Sequence, residues 1–234
     1  MKRFLYTVIC VILLASCSDE IDLAGTNVPW VESPRENFSG ISVQDGFELS
    51  LFSGDTSKIE IESDRNVLDH VNCEIKNGIL CFYKEPKTVF PSKVVVKIQV
   101  TTNSLDALII LSSKVQIVDT LKTNEISIFC SDKSILTGRL ECNRLQSVIN
   151  NSTVELTGVS GATQANIDNG SLVKLFGMES NNAKVNISGG SLTQVTVFDE
   201  FEISAKERSI LHYKGTAVIR DLVSDDDSEI KKVE

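Results

Sequence analysis

The feature that most constrains the fold is an internal repeat of about 19 residues in the second half of the chain. Six corner residues, most of them small and polar, mark the repeats, and apolar residues stand at fixed distances from them. The corners are Lys114, Ser134, Thr153, Ser171, Ser191 and Ser209. Six residues earlier stand Leu108, Ile128, Ser147, Ala165, Val185 and Ile203, and four residues earlier stand Ile110, Cys130, Ile149, Ile167, Ile187 and Ala205. One residue later stand Val115, Ile135, Val154, Leu172, Leu192 and Ile210.

A repeat of this length with alternating apolar residues and no helical period predicts an all-β fold, a parallel β-solenoid. One coil cannot bury its own apolar side chains, whereas stacked coils form a continuous core. We expect the three columns to point inward. The alternative is an antiparallel sandwich, which also has a strand every 8–12 residues or so. The regular phase across six repeats favours the solenoid.

The first half of the chain predicts separate strands that pack at one end of this solenoid. Alternating apolar residues occur at Phe47, Leu49 and Leu51. The segments 71–75 and 79–83 flank Asn77-Gly78, a dipeptide typical of a two-residue β-hairpin turn. We therefore divide the predicted domain, residues 38–234, into N-terminal strands at 38–103 and regular coils at 104–234.

The N-terminus resembles a bacterial lipoprotein signal peptide. A basic start precedes an apolar segment, and Leu14, Ala15 and Ser16 stand before Cys17 as in a lipobox. A transmembrane helix is the alternative, but a span needs about 20 apolar residues and this segment is shorter. We predict that residues 1–16 are removed and that Cys17 is lipidated. The membrane is then a partner through the N-terminal lipid.

Residues 17–37 predict a tether, because they contain Pro29 and Pro34 and lack a period. Acidic Asp19 and Glu20 follow the anchor; they fit either an export signal of Gram-negative lipoproteins or the start of a solvated linker. We predict a lipid-anchored outer-membrane protein, on the cell surface or on the periplasmic face. The formal charge is −9, and such acidity argues against nucleic acid as a partner, because phosphates require basic patches.

Four cysteines remain in the predicted mature chain: Cys73, Cys81, Cys130 and Cys142. Their spacing is not that of a zinc site. The hairpin turn would place Cys73 opposite Phe82, so the side chains of Cys73 and Cys81 point to opposite faces and we predict no bond between them. Buried thiols are the favoured interpretation, and a Cys130–Cys142 disulfide stays open.

The sequence offers no catalytic, metal or cofactor constellation. His70 and His212 lie in different halves, and neither has the spacing of a metal ligand. No nucleophile elbow or phosphate-binding glycine pattern occurs. We predict no enzymatic activity and no cofactor. Asp119-Thr120-Leu121 weakly resembles an O-glycosylation sequence of Gram-negative envelope proteins, which leaves open whether Thr120 is glycosylated.

Asparagines recur at positions that the repeat predicts to be exposed. One interpretation is a ridge that binds a glycan or a protein, and our candidates for it are Asn150, Asn169 and Asn186. The other interpretation is that asparagines serve turns and stacked amide hydrogen bonds. The wider set also includes Asn151, Asn166, Asn181 and Asn182.

Four segments together have the character of a known family: KIEIESDRNVLDHVNCEIKNGILCFY, VVVKIQVTTNSLDALIILSSKVQIV, AKVNISGGSLTQVTV and RSILHYKGTAVI. They resemble the family of putative auto-transporter adhesins with a head GIN domain. The resemblance covers the chain from about Phe38 to the C-terminus, and it implies a right-handed single-stranded β-helix on an envelope protein. The small-residue corner of the family is kept at Ser188-Gly189-Gly190-Ser191 and altered in the other coils. The family supplies no catalytic residue.

These observations predict a non-catalytic interaction module of the cell envelope. Its ligand would be a glycan, a matrix component or another envelope protein. A structural or assembly component of the periplasm is the second hypothesis. A polysaccharide-active enzyme is the third, and it would require carboxylates that converge on neighbouring coils.

Overall fold

The computed structural model describes residues 19–32 and 37–234, so Leu14, Ala15, Ser16 and Cys17 lie outside the described residues. The N-terminal part contains β1 (Asp19–Glu20), β2 (Asn27–Glu32), β3 (Gly40–Val43), β4 (Glu48–Ser53), β5 (Lys58–Asp64), α1 (Arg65–Leu68), β6 (Val71–Lys76), β7 (Ile79–Lys84), β8 (Thr88–Val89) and β9 (Lys97–Thr102). The second part contains β10 (Ala107–Leu111), β11 (Lys114–Ser131), β12 (Ile135–Asn150), β13 (Thr153–Asp168), β14 (Leu172–Ile187), β15 (Leu192–Ala205), β16 (Ile210–Lys214), β17 (Val218–Ser224) and β18 (Glu229–Lys232).

The second part is a parallel β-solenoid, as the repeat predicts. Strands β11 to β14 each run for 16 to 18 residues, and each pairs in parallel with the next. The stack has about seven turns with a repeat of about 19 residues. The antiparallel sandwich is therefore wrong as an alternative.

Two of the three predicted columns are confirmed. Leu108 pairs with Ile128, Ile128 with Ser147, and the register continues through all six coils. Every residue of the two columns, six and four residues before the predicted corners, is buried. This continuous interior is the main source of stability, since burying one Val, Leu or Ile side chain is worth about 1.5–3 kcal/mol.

The third predicted column, one residue after the corner, is confirmed at Val115 and Val154, which are buried, and is wrong in the other four coils. Ile135 is 36% exposed, and Leu172, Leu192 and Ile210 are half-buried on the outer surface. The predicted corners at Lys114 and Thr153 were each one residue late. The structure places buried serines at the corner of every coil and inward residues two positions later. The serines are Ser113, Ser134, Ser152, Ser171, Ser191 and Ser209.

The backbone at the corner explains this one-residue error. Four corners contain two consecutive residues with positive φ: Asp132-Lys133, Asn169-Gly170, Gly189-Gly190 and Glu207-Arg208. The corners at Ser112 and Asn151 contain a single such residue, and they are one residue shorter. Because seven of these ten residues are not glycine, the sequence alone does not show how long each corner is.

The corner serines form a hydrogen-bonded ladder along the solenoid. Ser171 Oγ accepts from the backbone nitrogen of Ser152 at 3.3 Å and donates to the carbonyl oxygen of Asp168 at 2.6 Å. Ser191 Oγ in turn accepts from the nitrogen of Ser171 at 3.1 Å, and Ser134 Oγ accepts from the nitrogen of Ser113 at 3.4 Å. Each hydroxyl thus satisfies a buried amide that the tight corner leaves without a strand partner.

The N-terminal strands extend the stack at one end, as predicted. Strands β3 and β4 pair in parallel with β10 and β11, and β7 and β9 pair on their outer side. Strands β2, β5 and β6 then add antiparallel pairings. The strands here do not stack in chain order, because β3 lies between β10 and β7 and β4 lies between β11 and β9.

The predicted hairpin is confirmed in its turn and in its register. Lys76 pairs with Ile79 across Asn77 and Gly78, whose φ angles are 51° and 77°. Cys73 lies opposite Phe82, so its side chain points away from that of Cys81. This register agrees with the prediction that no disulfide joins these two residues.

The structure brings part of the predicted tether into the fold. Residues Asn27–Glu32 form β2, an edge strand that pairs with β5, and Trp30 lies opposite Ile61. Pro29 fits because an edge strand tolerates a residue without a backbone N–H. Asp19–Glu20 also pairs with Thr88–Val89. These residues, which the sequence assigned to the tether, are therefore part of the folded structure.

Ser171→Ala should destabilise the solenoid, because it leaves the buried nitrogen of Ser152 without an acceptor. A lost buried partner costs about 1–3 kcal/mol, and 1 kcal/mol shifts Tm by about 2–4 °C in a domain of this size. Thermal unfolding followed by circular dichroism measures the shift. Ser127→Ala, at an exposed position, is the control, and equal Tm values for the two variants would contradict the ladder.

Gly189→Ala should cost more stability than Gly190→Ala. Both residues have positive φ, which costs an L-residue about 1 kcal/mol. A Cβ at Gly189 would also collide with Asp168 Oδ1 and with the nitrogen of Asn169, whereas a Cβ at Gly190 meets open space. Chemical denaturation of both variants gives the two free energies of unfolding. A greater loss in Gly190→Ala would contradict the corner geometry.

Candidate binding face

One flat surface of the solenoid presents two outward columns of side chains, and we call it the front face. It consists of the strand segments 107–111, 125–131, 144–150, 162–168, 182–187 and 200–205. Because side chains alternate along a strand, residues on either side of the buried column at Leu108 point outward. One outward column is Ala107, Ser127, Gln146, Gln164, Lys184 and Glu202. The other is Ile109, Phe129, Val148, Asn166, Asn186 and Ser204.

A shallow groove of about 290 Å³ lies on the part of the front face formed by the segments 107–111, 125–131, 144–150 and 162–168. Its apolar wall contains Phe129 and Val148, which are 39% and 44% exposed. Gln146, Gln164 and Asn166 line it from the polar side. Every lining residue is uncharged, in a chain of which 24% is charged. This groove is the candidate binding site.

The neighbouring part of the front face carries charges that pair with one another. It forms a depression of about 210 Å³ that includes Lys184, Glu200 and Glu202. Lys184 Nζ lies 2.7 Å from Glu202 Oε2, and Arg220 lies 2.7 Å from Glu200 Oε1. The hydrogen bond that Lys184 Nζ donates to Glu202 Oε2 raises the pKa of Lys184 above its ordinary value. These exposed pairs contribute little to stability, but they leave the surface beside the groove close to neutral.

The two glutamates of this depression do not resemble a glycosidase pair. Such enzymes need one carboxylic acid whose pKa is raised by apolar surroundings, next to a carboxylate. Glu200 and Glu202 are about half-exposed, and each is ion-paired, Glu200 with Arg220 and Glu202 with Lys184. Their arrangement therefore favours ion pairing over proton transfer.

The structure does not bring the three predicted ridge asparagines into one column. Asn150 and Asn169 lie at the serine corner, where Asn169 has a φ of 57°. Asn186 lies on the front face, and its Nδ2 donates to Asn166 Oδ1 at 2.8 Å. These contacts are the turn geometry and stacked amides of the alternative interpretation. A binding role for Asn150, Asn169 and Asn186 stays a prediction.

Sequence reasoning missed Phe129 and Val148. It assigned apolar residues to the interior, and both lie beside buried residues of the repeat. The alternation of the strands could have revealed them, because Phe129 and Val148 both stand at outward-pointing positions in consecutive coils. Val148 and Phe129 are directly paired in the parallel register.

The other predicted chemical residues lie apart from the groove. His70 Nδ1 lies 2.8 Å from Glu85 Oε2, and His212 Nε2 lies 3.7 Å from Glu229. Residues 19–32 and 37–234 contain no group of three or more His, Cys, Asp or Glu side chains able to hold a metal. The carbonyl oxygen of Thr120 accepts from Ser53 Oγ at 2.8 Å, and glycosylation of Thr120 stays a prediction.

The sequence leaves open a disulfide between Cys130 and Cys142, and the structure shows both as buried thiols. Cys130 and Cys142 lie in different columns of the interior. Burial raises the pKa of the Cys130 thiol to about 12, and it raises the pKa of Cys142 as well. Such thiols are poor nucleophiles, because the thiolate is the reactive form.

A second groove lies at the N-terminal end of the solenoid. It measures about 420 Å³ and lies between β2, α1 and β6, with Trp30, Leu68 and Val71 among its apolar residues. Arg65 and Asp69 add charge at its rim. No helix within the described ranges, 19–32 and 37–234, is long and apolar enough to cross a bilayer.

Comparison with known proteins places the fold among solved adhesin-like structures. Residues 37–217 match the family model described as "Putative auto-transporter adhesin, head GIN domain". A putative adhesin from Bacteroides fragilis superposes with a TM-score of 0.82 at 16% identity, over 91% of this chain and 100% of that chain. A putative lipid binding protein from Parabacteroides distasonis gives 0.73 at 17% identity, over 92% of this chain and 100% of that one.

A putative adhesin from Parabacteroides merdae gives a TM-score of 0.69 at 17% identity, with 92% of this chain and 100% of that chain covered. At these identities the likeness concerns the fold. The comparison with curated proteins finds no match.

Proposed function

We propose that this chain, which belongs to the family described as "Putative auto-transporter adhesin, head GIN domain", is a non-catalytic interaction module displayed on the bacterial cell envelope. The observation that carries the proposal is the uncharged front-face groove with the exposed side chains of Phe129 and Val148. Exposed apolar side chains in a concave surface rimmed by polar groups are typical of binding sites.

The titratable groups of the front face support a binding role over catalysis. Lys184, Glu202, Glu200 and Arg220 are engaged in ion pairs at its surface. General acid–base catalysis is most efficient with a group whose pKa lies near the operating pH, and the ion pair with Glu202 moves the pKa of Lys184 away from it. The groove lining contains no titratable side chain at all.

The proposed anchor is a lipid on Cys17. The lipobox-like Leu14, Ala15 and Ser16 support cleavage before Cys17. Asp19 pairs with Thr88, and two residues span at most about 7 Å. The N-terminal end of the solenoid would therefore lie close to the bilayer, with the later coils farther out. The outer membrane of a Gram-negative cell is the proposed location.

A structural or assembly role in the periplasm is the competing proposal, and topology separates the two. Protease treatment of intact cells, with lysed cells as control, should remove the domain if it faces outward. Protection until lysis would contradict surface display and support the periplasmic role.

Cys17→Ala should release the protein from membranes, because it removes the thiol that carries the lipid. Detergent phase partitioning and membrane fractionation measure the change. Cys10→Ala is the matched control: it removes a cysteine of the predicted leader and should leave the protein in the membrane. Unchanged partitioning of Cys17→Ala would contradict the anchor.

The binding role is tested with bacteria that display the full chain and adhere to a surface coated with extracellular matrix or with envelope polysaccharide. Phe129→Asp should reduce adhesion, because it places a charge in an uncharged groove. Val159→Asp is the control, because Val159 is 46% exposed but lies outside the groove. Equal adhesion by both variants would contradict the front face as the binding surface.

A further inference from the structure

We infer that the front-face groove binds an uncharged oligosaccharide that runs along the solenoid axis. The inference rests on the proposed function and names the ligand class of the same site. Three properties of the groove carry it: the absence of charge in its lining, the pairing of an apolar strip with amides, and its regular spacing.

The lining selects against charged ligands. None of the residues that line the groove is ionisable, although the chain has a formal charge of −9. A carboxylate, sulfate or phosphate would be desolvated there without a counter-charge, which is costly. The charges beside the lining are paired: Glu125, which lies 3.3 Å from Gln146 Nε2, is 3.3 Å from Arg144 Nη1, and Lys184 is 2.7 Å from Glu202. A neutral ligand fits this surface.

The apolar strip suits the C–H face of a sugar ring. Ile109, Phe129 and Val148 stand in one column on three consecutive coils. Phe129 is 39% exposed, so a pyranose can pack on its side chain and remove apolar surface from water. Aromatic side chains combine a large contact area with few rotatable bonds.

Amides stand beside this strip to bind hydroxyl groups. Gln146 and Gln164 occupy the adjacent outward column, and Asn166 continues the apolar one. Each amide offers both donors and acceptors, which matches the dual character of a sugar hydroxyl. Asn166 Oδ1 accepts from Asn186 at 2.8 Å, so the NH₂ group of Asn166 is the part that a ligand would meet. Gln146 Nε2 donates to Glu125 at 3.3 Å, which leaves its carbonyl oxygen as an acceptor.

The spacing favours a chain of sugars over a single one. Neighbouring coils are separated by the strand spacing of about 4.8 Å, close to the length of one sugar unit. The column from Ile109 to Asn166 crosses four coils, or about 14 Å. An extended oligosaccharide can therefore place successive units over successive coils.

A protein partner fits the groove less well. Specific protein interfaces bury about 800 Å² on each side and centre on clusters of aromatic or arginine side chains. The groove offers one aromatic ring, that of Phe129, and one strongly exposed aliphatic side chain, that of Val148.

The test is titration calorimetry of the purified full chain in detergent against three neutral oligosaccharides: cellohexaose, mannohexaose and N-acetylated chitohexaose. We expect at least one of them to bind. Phe129→Ala should weaken that binding by about tenfold, which equals about 1.4 kcal/mol. Gln164→Ala should weaken it as well, and Val159→Ala should leave it unchanged. Raising the salt concentration should leave the affinity unchanged, because no charge takes part.

Three results would overturn the inference: no binding of any neutral probe, equal binding by Phe129→Ala, or stronger binding of a hyaluronan hexasaccharide that weakens with salt. Its failure is distinguishable from failure of the proposed function. If Phe129→Asp abolishes adhesion of displaying cells while no neutral oligosaccharide binds, the interaction module stands and its ligand is of another class.

Discussion

The whole structure depends on parallel pairing between consecutive coils, held in register at one tight corner. The corner turns the chain so sharply that backbone amides lose strand partners inside the protein. At several corners a serine hydroxyl from the next coil replaces the lost partner, as Ser171 Oγ does for the nitrogen of Ser152 and Ser191 Oγ for that of Ser171. This contact fixes how each coil lies on its neighbour. The inward columns stay aligned, and the core is continuous.

The same register produces the outer surface on which the proposed function depends. Aligned coils place outward residues in straight columns, so a few substitutions in consecutive repeats create a groove without altering the core. Phe129 and Val148 are such residues, beside the buried Ile128 and Ile149. The N-terminal strands extend the stack at one end, whereas the groove lies on the coils that follow them, so the proposed lipid anchor and the groove involve different residues. Anchoring and binding can therefore be altered independently.

The sequence predicts the interior well and the corners poorly, for a physical reason. Burial requires apolar or small residues, so the columns through Leu108 and Ile110 are visible in the repeat. The length of a corner depends on how many residues adopt positive φ. Pairs such as Asp132-Lys133 contain no glycine, so the sequence does not reveal their positive φ angles. β2 was not predicted from the sequence, because β2 contains Pro29. An edge strand tolerates a proline, since its outer backbone groups need no strand partner. The groove was not predicted from the sequence, because a phenylalanine is usually buried. Phe129 is exposed because it alternates with the buried residues Ile128 and Cys130 along its strand.

The most direct test of this account is deletion of one complete coil. Leu172 pairs with Leu192, so removal of residues 172–191 joins Ser171 to Leu192 in register and leaves the groove intact. We expect this variant to fold and to unfold in a single cooperative thermal transition. Removal of residues 172–181 takes out half a coil and should give an unfolded chain. An unfolded whole-coil variant, or equal stability of the two deletions, would contradict the stacking of interchangeable coils.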